Sequence, residues 1–196
     1  MPPEIEESGG AEFEFRQNGD SPVLVGHAAV FNRLSEELGP SWDRFKEQVA
    51  PGAFAQSLEE NDVRALAYHD HRKILGRQSA GTLRLQEDDV GLRVEIDLPD
   101  TSVGRDLAVL VKRRDIREMS FGFRAQVQEW DDSGDMPIRT LKKVDLREVS
   151  AVLFPAYRDT SIALRFLDEW RNDNVRTIAP NRRTIICLAL GGYCGS

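Results

Sequence analysis

The stretch Arg117–Phe123, R-E-M-S-F-G-F, sets one small hydroxyl between a methionine and two phenylalanines. Read with a period of two, Met119, Phe121, Phe123, Ala125 and Val127 fall on one face, and Ser120, Gly122, Arg124, Gln126 and Gln128 on the other. That alternation predicts a half-buried strand. Ser120 turns away from the core, beside a residue, Gly122, with no side chain to cover it. Taken alone, the window describes a solvent-facing strand serine, because a polar outer face is the norm for such sheets.

Outward from this strand the same pattern recurs. Val23–Phe31 and Asp43–Val49 read as strands, the second anchored by Phe45 and Val49. Asp62–His71 is a β-rich run that ends at two histidines, and Gly81–Pro99 reads as a hairpin. In the hairpin, Leu83 and Leu85 alternate before the polar Q-E-D-D turn, and Leu92, Val94, Ile96 and Leu98 after it. Ile138–Phe154 is a long extended run that stops at Pro155. Helices are predicted at Pro51–Glu60, where Pro51 takes the first helical position, at Asp100–Arg114 and at Ser161–Asn172. In the second, Asp100, Thr101 or Ser102 supplies the cap and Val103, Leu107, Leu110 and Val111 the apolar stripe. Seven or eight strands in mostly antiparallel connection, with two or three helices, predict a mainly β (α+β) fold: an antiparallel β-barrel surrounded by a few helices.

A chain of 196 residues fits one domain with extensions. We expect an acidic, flexible arm over 1–21, a folded domain over 22–166 and a polar tail over 167–196. A net charge of −7 argues against a general nucleic-acid binder, and the longest apolar run, T-I-I-C-L-A-L-G-G, is far too short to span a membrane. The start lacks a basic stretch followed by an apolar one, so no secretory signal is expected. The only cysteines, Cys187 and Cys194, make no disulfide framework and fit a reducing cytoplasm.

Three histidines are candidates for chemistry. His27 lies among small apolar residues of a strand and reads as a hydrogen-bonded structural histidine. His69 and His71 flank Asp70 where regular structure ends. An H-x-H pair on a strand projects both rings to one face, but a metal site would need a third ligand. Serine catalysis needs a hydroxyl, an imidazole and a group that holds the imidazole in the right tautomer. Ser120 and His69 fit the first two roles. Glu148 shares a period-two register with Val144, Leu146, Ser150 and Val152, an otherwise apolar set. A carboxylate there is costly unless paired, so either a partner such as a histidine satisfies it or a bulge returns it to solvent. Spacing along the chain does not show that the three meet.

Six stretches carry a resemblance: G-H-A-A-V-F-N, P-G-A-F-A-Q-S-L, A-L-A-Y-H-D-H-R-K-I-L-G-R, the hairpin G-T-L-R-L-Q-E-D-D-V-G-L-R-V-E-I-D-L-P-D-T, R-R-D-I-R-E-M-S-F-G-F and R-E-V-S-A-V-L-F-P-A-Y-R-D-T-S-I. In order and wording, between Val25 and Leu164, they resemble the prohead proteases of tailed bacteriophages, whose fold is similar to the herpesvirus maturation proteases. The resemblance implies that Ser120 is the nucleophile, His69 the catalytic histidine and Glu148 the acidic third member, with no cofactor and no metal. Herpesvirus relatives use a second histidine in the third role; His71 is the counterpart to weigh, but it lies only two residues from His69. Gly122 would leave room for a substrate backbone, and Arg158 or the backbone beside it is a candidate oxyanion donor. Arg114 departs from the family, many of whose members carry glycine there.

The implied function is a serine endopeptidase of capsid maturation. It would act in the host cytoplasm inside the assembling prohead of a phage or prophage. Its substrates would be the scaffold segment of the major capsid protein, other internal prohead proteins and itself, with the arm and the tail beyond Phe166 as processing sites. No nucleic-acid or membrane partner is implied, and because herpesvirus relatives dimerise to become active, a homodimer is an open expectation. Competing readings are an inactive protease-like assembly module and a metal hydrolase built on His69 and His71.

Overall fold

The computed structural model of the chain describes residues 6–18 and 21–153. Expectations that rest on Pro155, Arg158, the helix from Ser161, the two cysteines and the tail lie outside the described residues. Among the described residues nine strands and two helices run in the order β1 (Glu6–Asn18), β2 (Ser21–Val30), β3 (Lys46–Val49), α1 (Ala55–Glu60), β4 (Arg64–Ala67), β5 (Asp70–Arg77), β6 (Leu83–Glu87), β7 (Gly91–Asp97), α2 (Ser102–Lys112), β8 (Glu118–Asp131) and β9 (Ile138–Val152). The strands form one sheet in the order β5-β4-β9-β8-β1-β2-β7-β6, with β3 also paired to β9. The fold is mainly β with helices, as expected. Among the described residues no pairing joins β5 to β6, so the strand ladder does not close into a barrel. Within the stretch read as an arm, β1 pairs with β2 on one side and β8 on the other.

The serine strand is buried on both faces at its start. Met119, Phe121 and Phe123 join the core, where Phe54 packs edge-on to Phe121 with ring centroids 5.3 Å apart. On the opposite face Ser120 is 0 % exposed. The half-buried expectation therefore fails there, because neighbouring structure covers the polar face as well. Farther on it fails the other way: Val127, expected on the core face, is exposed together with Gln126, where the pairing with β9 shifts register on both sides of Val127.

β9 organises the region around the serine. Along one edge it pairs antiparallel with β8; along the other it pairs parallel, first with β3 (Lys46↔Ile138) and later with β4 (Arg64↔Glu148). Between those partners the edge would carry bare backbone groups, which are costly to bury unpaired. Here α1 fills the gap: the Ser57 hydroxyl donates to the Val144 carbonyl at 2.5 Å and accepts from the Leu146 N–H at 3.0 Å, and the Val144 N–H donates to the Ala53 carbonyl. Pro51 does not begin this helix as predicted. It sits in the preceding turn, and helical structure starts at Ala55, where the Phe54 N–H donates to the Glu87 carboxylate in place of a local cap.

α2 follows its sequence pattern closely. Thr101 caps it by accepting from the Gly104 N–H at 3.2 Å, and Leu107, Ala108 and Val111 are buried. Its C-terminus closes with the Arg114 N–H on the Val111 carbonyl and the Asp115 N–H on the Leu110 carbonyl. This pair of bonds needs a left-handed residue just past the helix, a place glycine normally fills. Arg114 occupies it with φ +64°. A non-glycine residue there costs about 1 kcal/mol or more. Arg114→Gly is expected to raise stability by about 1 kcal/mol, or roughly 3 °C in Tm, read by thermal melts. An unchanged or lower Tm would show that the arginine side chain compensates the strain.

Candidate active site

β4 and β5 form a hairpin in which Ala67 pairs with Asp70, and Tyr68 and His69 make the two-residue turn between them. Both turn residues have positive φ, +60° and +55°. Such a turn usually carries asparagine or glycine, because a side chain is strained in the left-handed region. Strain of this kind persists only where surrounding contacts hold it, and it concentrates at functional sites. Here the contacts come from β9. The Tyr68 N–H donates to the Ala151 carbonyl at 3.0 Å, and the His69 N–H to the Ser150 hydroxyl at 3.3 Å.

The turn aims the His69 ring at Glu148, whose Oε1 lies 2.5 Å from Nδ1. Both side chains are largely withdrawn from water, at 15% exposure for the histidine and 6% for the glutamate. The carboxylate's other oxygen, Oε2, accepts from the Ser150 hydroxyl at 2.5 Å. With the carboxylate ionised, Nδ1 must carry the proton it donates, so a neutral ring presents its basic lone pair at Nε2.

Ser120 reaches the same surface through strand register. It pairs with Ser150, and Gly122 pairs with Glu148. Opposite residues in a ladder project to one face, about 5 Å apart at their Cα atoms. Ser120, Gly122, Glu148 and Ser150 therefore share one face of the β8–β9 pair, with the His69 turn at its β4 side. The predicted period-two register of β9 breaks between Leu146 and Glu148, where the pairing shifts from Phe123 to Gly122. Leu146 thus stays in the core while Glu148 passes to the serine face. A bulge is present, as one alternative had it, but it delivers the carboxylate to a histidine and not to solvent.

Gly122 has a different job from the one expected. A Cβ on it would lie 2.6 Å from Glu148 Oε1, so the space it leaves is filled by the carboxylate and not by a substrate backbone. His71 is exposed, in the stretch of β5 that bulges between the Ala67↔Asp70 and Leu66↔Ile74 pairs, and the two histidines do not share a strand face. Among the described residues no group of three or more histidine, cysteine or acidic side chains is placed to hold a metal. The His27 Nε2–H donates to the Asp88 carboxylate, 2.8 Å away, in the turn between β6 and β7. Around the site, the Asp70 carboxyl is held below its ordinary range by Arg72, through side-chain and backbone hydrogen bonds. The Tyr68 hydroxyl is pushed up by burial and by the negative charge of Asp106. The sequence reading places Ser150 on the face of Glu148 yet assigns it no role; the E-x-S spacing was the signal, since residues two apart on a strand are neighbours on one face.

A family model described as "Caudovirus prohead serine protease" matches residues 11–173. A curated relative, the prohead protease of Escherichia phage T5, is 33% identical over 98 residues, covering 49% of this chain and 42% of that protein. The matched region thus spans less than half of that relative's length. No solved structure matches the chain.

A carboxylate this deeply withdrawn depends on the imidazole for compensation. His69→Ala is expected to lower stability by about 3 kcal/mol at neutral pH. Adding Glu148→Gln to it should restore much of the loss, as measured by urea unfolding. Equal losses in the single and double variants would show that the carboxylate does not rely on His69.

Proposed function

The chain belongs to the caudovirus prohead serine protease family, and on that premise we propose that it is a serine endopeptidase with Ser120 as nucleophile, His69 as general base and Glu148 as its orienting carboxylate. The observation that carries this reading is the 2.5 Å bond between His69 Nδ1 and Glu148, made on the strand face that also bears Ser120. A proton fixed on Nδ1 leaves Nε2 to take the Ser120 proton as the hydroxyl attacks the scissile carbonyl. The same nitrogen then returns it to the leaving amine, and water repeats the cycle on the acyl-enzyme. Glu148 keeps the ring in one tautomer and offsets the imidazolium charge formed in each half-reaction. Ser120 is fully buried, so substrate entry must open the face at that point.

The same reading extends to biology. The substrates are the scaffold segment of the major capsid protein, other internal prohead proteins and the chain itself, cut inside the assembling prohead in the host cytoplasm. The catalytic domain is 22–166, the arm 1–21 supplies β1, and the tail 167–196 is a site of self-processing. A strand arrangement similar to that of the herpesvirus maturation proteases belongs to this reading too, as does a homodimer.

Expression of the full chain beside the capsid protein tests it. Mass spectrometry should show truncated products with the unchanged chain and none with Ser120→Ala. His69→Gln, which keeps an N–H donor for Glu148 but no basic lone pair, should be equally inactive. Intact masses throughout, or cleavage that survives either substitution, would overturn the assignment. Gly122→Ala should keep the sheet, since alanine suits a strand better than glycine. Its methyl displaces the carboxylate, and cleavage should slow by about 10- to 100-fold, as misplacement of a catalytic group by an ångström commonly does. A wild-type rate would show that Glu148 does not orient the base.

A further inference from the structure

One buried hydroxyl touches two parts of the site at once. Ser150 is 0 % exposed, donates to Glu148 Oε2 at 2.5 Å and accepts from the His69 backbone N–H at 3.3 Å. A single oxygen therefore ties the carboxylate to the strained turn that carries the imidazole. It also stands directly across the ladder from Ser120.

Without this clamp the Glu148 carboxylate would be held by the His69 ring alone, because Gly122 beside it presents no side chain. The His69 turn would lose one of the two bonds that hold its left-handed backbone to β9. From this geometry we infer that Ser150 is a positioning residue of the catalytic site. Its hydroxyl sets the carboxylate's rotamer and the height of the histidine turn together, so that the Nδ1–Oε1 bond forms before substrate arrives. Ser150 does not compete with Ser120 as nucleophile: its proton is committed to Glu148 and its lone pair to the His69 N–H, while the ring's basic nitrogen is the one farther from that carboxylate. The inference rests on the protease reading above and adds to it the device that pre-organises the base.

The full-length chain, Ser150→Ala and Ser150→Thr are compared by two measurements. The first is the rate at which a fluorophosphonate labels Ser120. The second is the far-downfield proton resonance of His69 Nδ1–H, which reports the bond to Glu148 whether or not the enzyme turns over. Ser150→Ala should slow labelling by about tenfold or more, the effect of losing a hydrogen bond to a charged group, and should broaden or erase the resonance. Ser150→Thr, which keeps the hydroxyl, should retain the resonance and label within about threefold of the unchanged chain. The proposal is overturned if Ser150→Ala keeps both the resonance and the rate. It is equally overturned if both variants slow while the resonance persists, since packing would then set the rate. If the unchanged chain is not labelled at Ser120, the protease reading fails, and the resonance in Ser150→Ala alone decides whether Ser150 holds the pair.

Discussion

A carboxylate that has left water sets the terms for everything around it. Glu148 is withdrawn to 6% exposure and answered on one oxygen by an imidazole and on the other by a hydroxyl, both at 2.5 Å. An ionised group in such a place is tolerated only when its hydrogen-bonding capacity is met by groups already held in position. The positions of β4, β9 and β8 relative to one another are therefore coupled to this single side chain. The glycine beside it, the turn above it and the serine two residues along its strand each meet part of that demand.

β9 is the element through which the demand is distributed. It is long enough to hold β8 along one edge and three successive partners, β3, α1 and β4, along the other. The bulge before Glu148 separates its two functions. Up to Leu146 its inward side chains pack the core; past the bulge, Glu148 and Ser150 line the serine face. A one-residue slip transfers a side chain from one side of a sheet to the other, which is how a single strand serves both purposes.

The left-handed residues mark where the chain gives up local comfort for placement. Tyr68 and His69 adopt a turn better suited to asparagine and glycine, and bonds from β9 hold them there. Arg114 carries the same penalty at the end of α2, immediately before the strand that presents Ser120. The first is bound up with the site. The second keeps its helix ending without glycine, because the two backbone bonds that close it do not involve the side chain.

Local pattern was enough for much of this. The alternation of Met119, Phe121 and Phe123, the hairpin around Gln86–Asp89, the capped helix after Thr101 and the mainly β class all follow from period and turn chemistry, which neighbouring residues dictate among themselves. The oddity of Glu148 in an apolar register was also legible, as were Ser120 and His69 as candidates. Three things were not. The strand β5 hid behind the histidines because its first half bulges and is exposed, erasing the alternation. The burial of Ser120 depends on what covers its face, and the occupant of the space beside Gly122 on the bulge that turns Glu148 of the next strand to that side. Which atoms meet Glu148 is a matter of cross-strand register between segments some 80 residues apart, and register is set by packing of the whole sheet and not by any stretch of it.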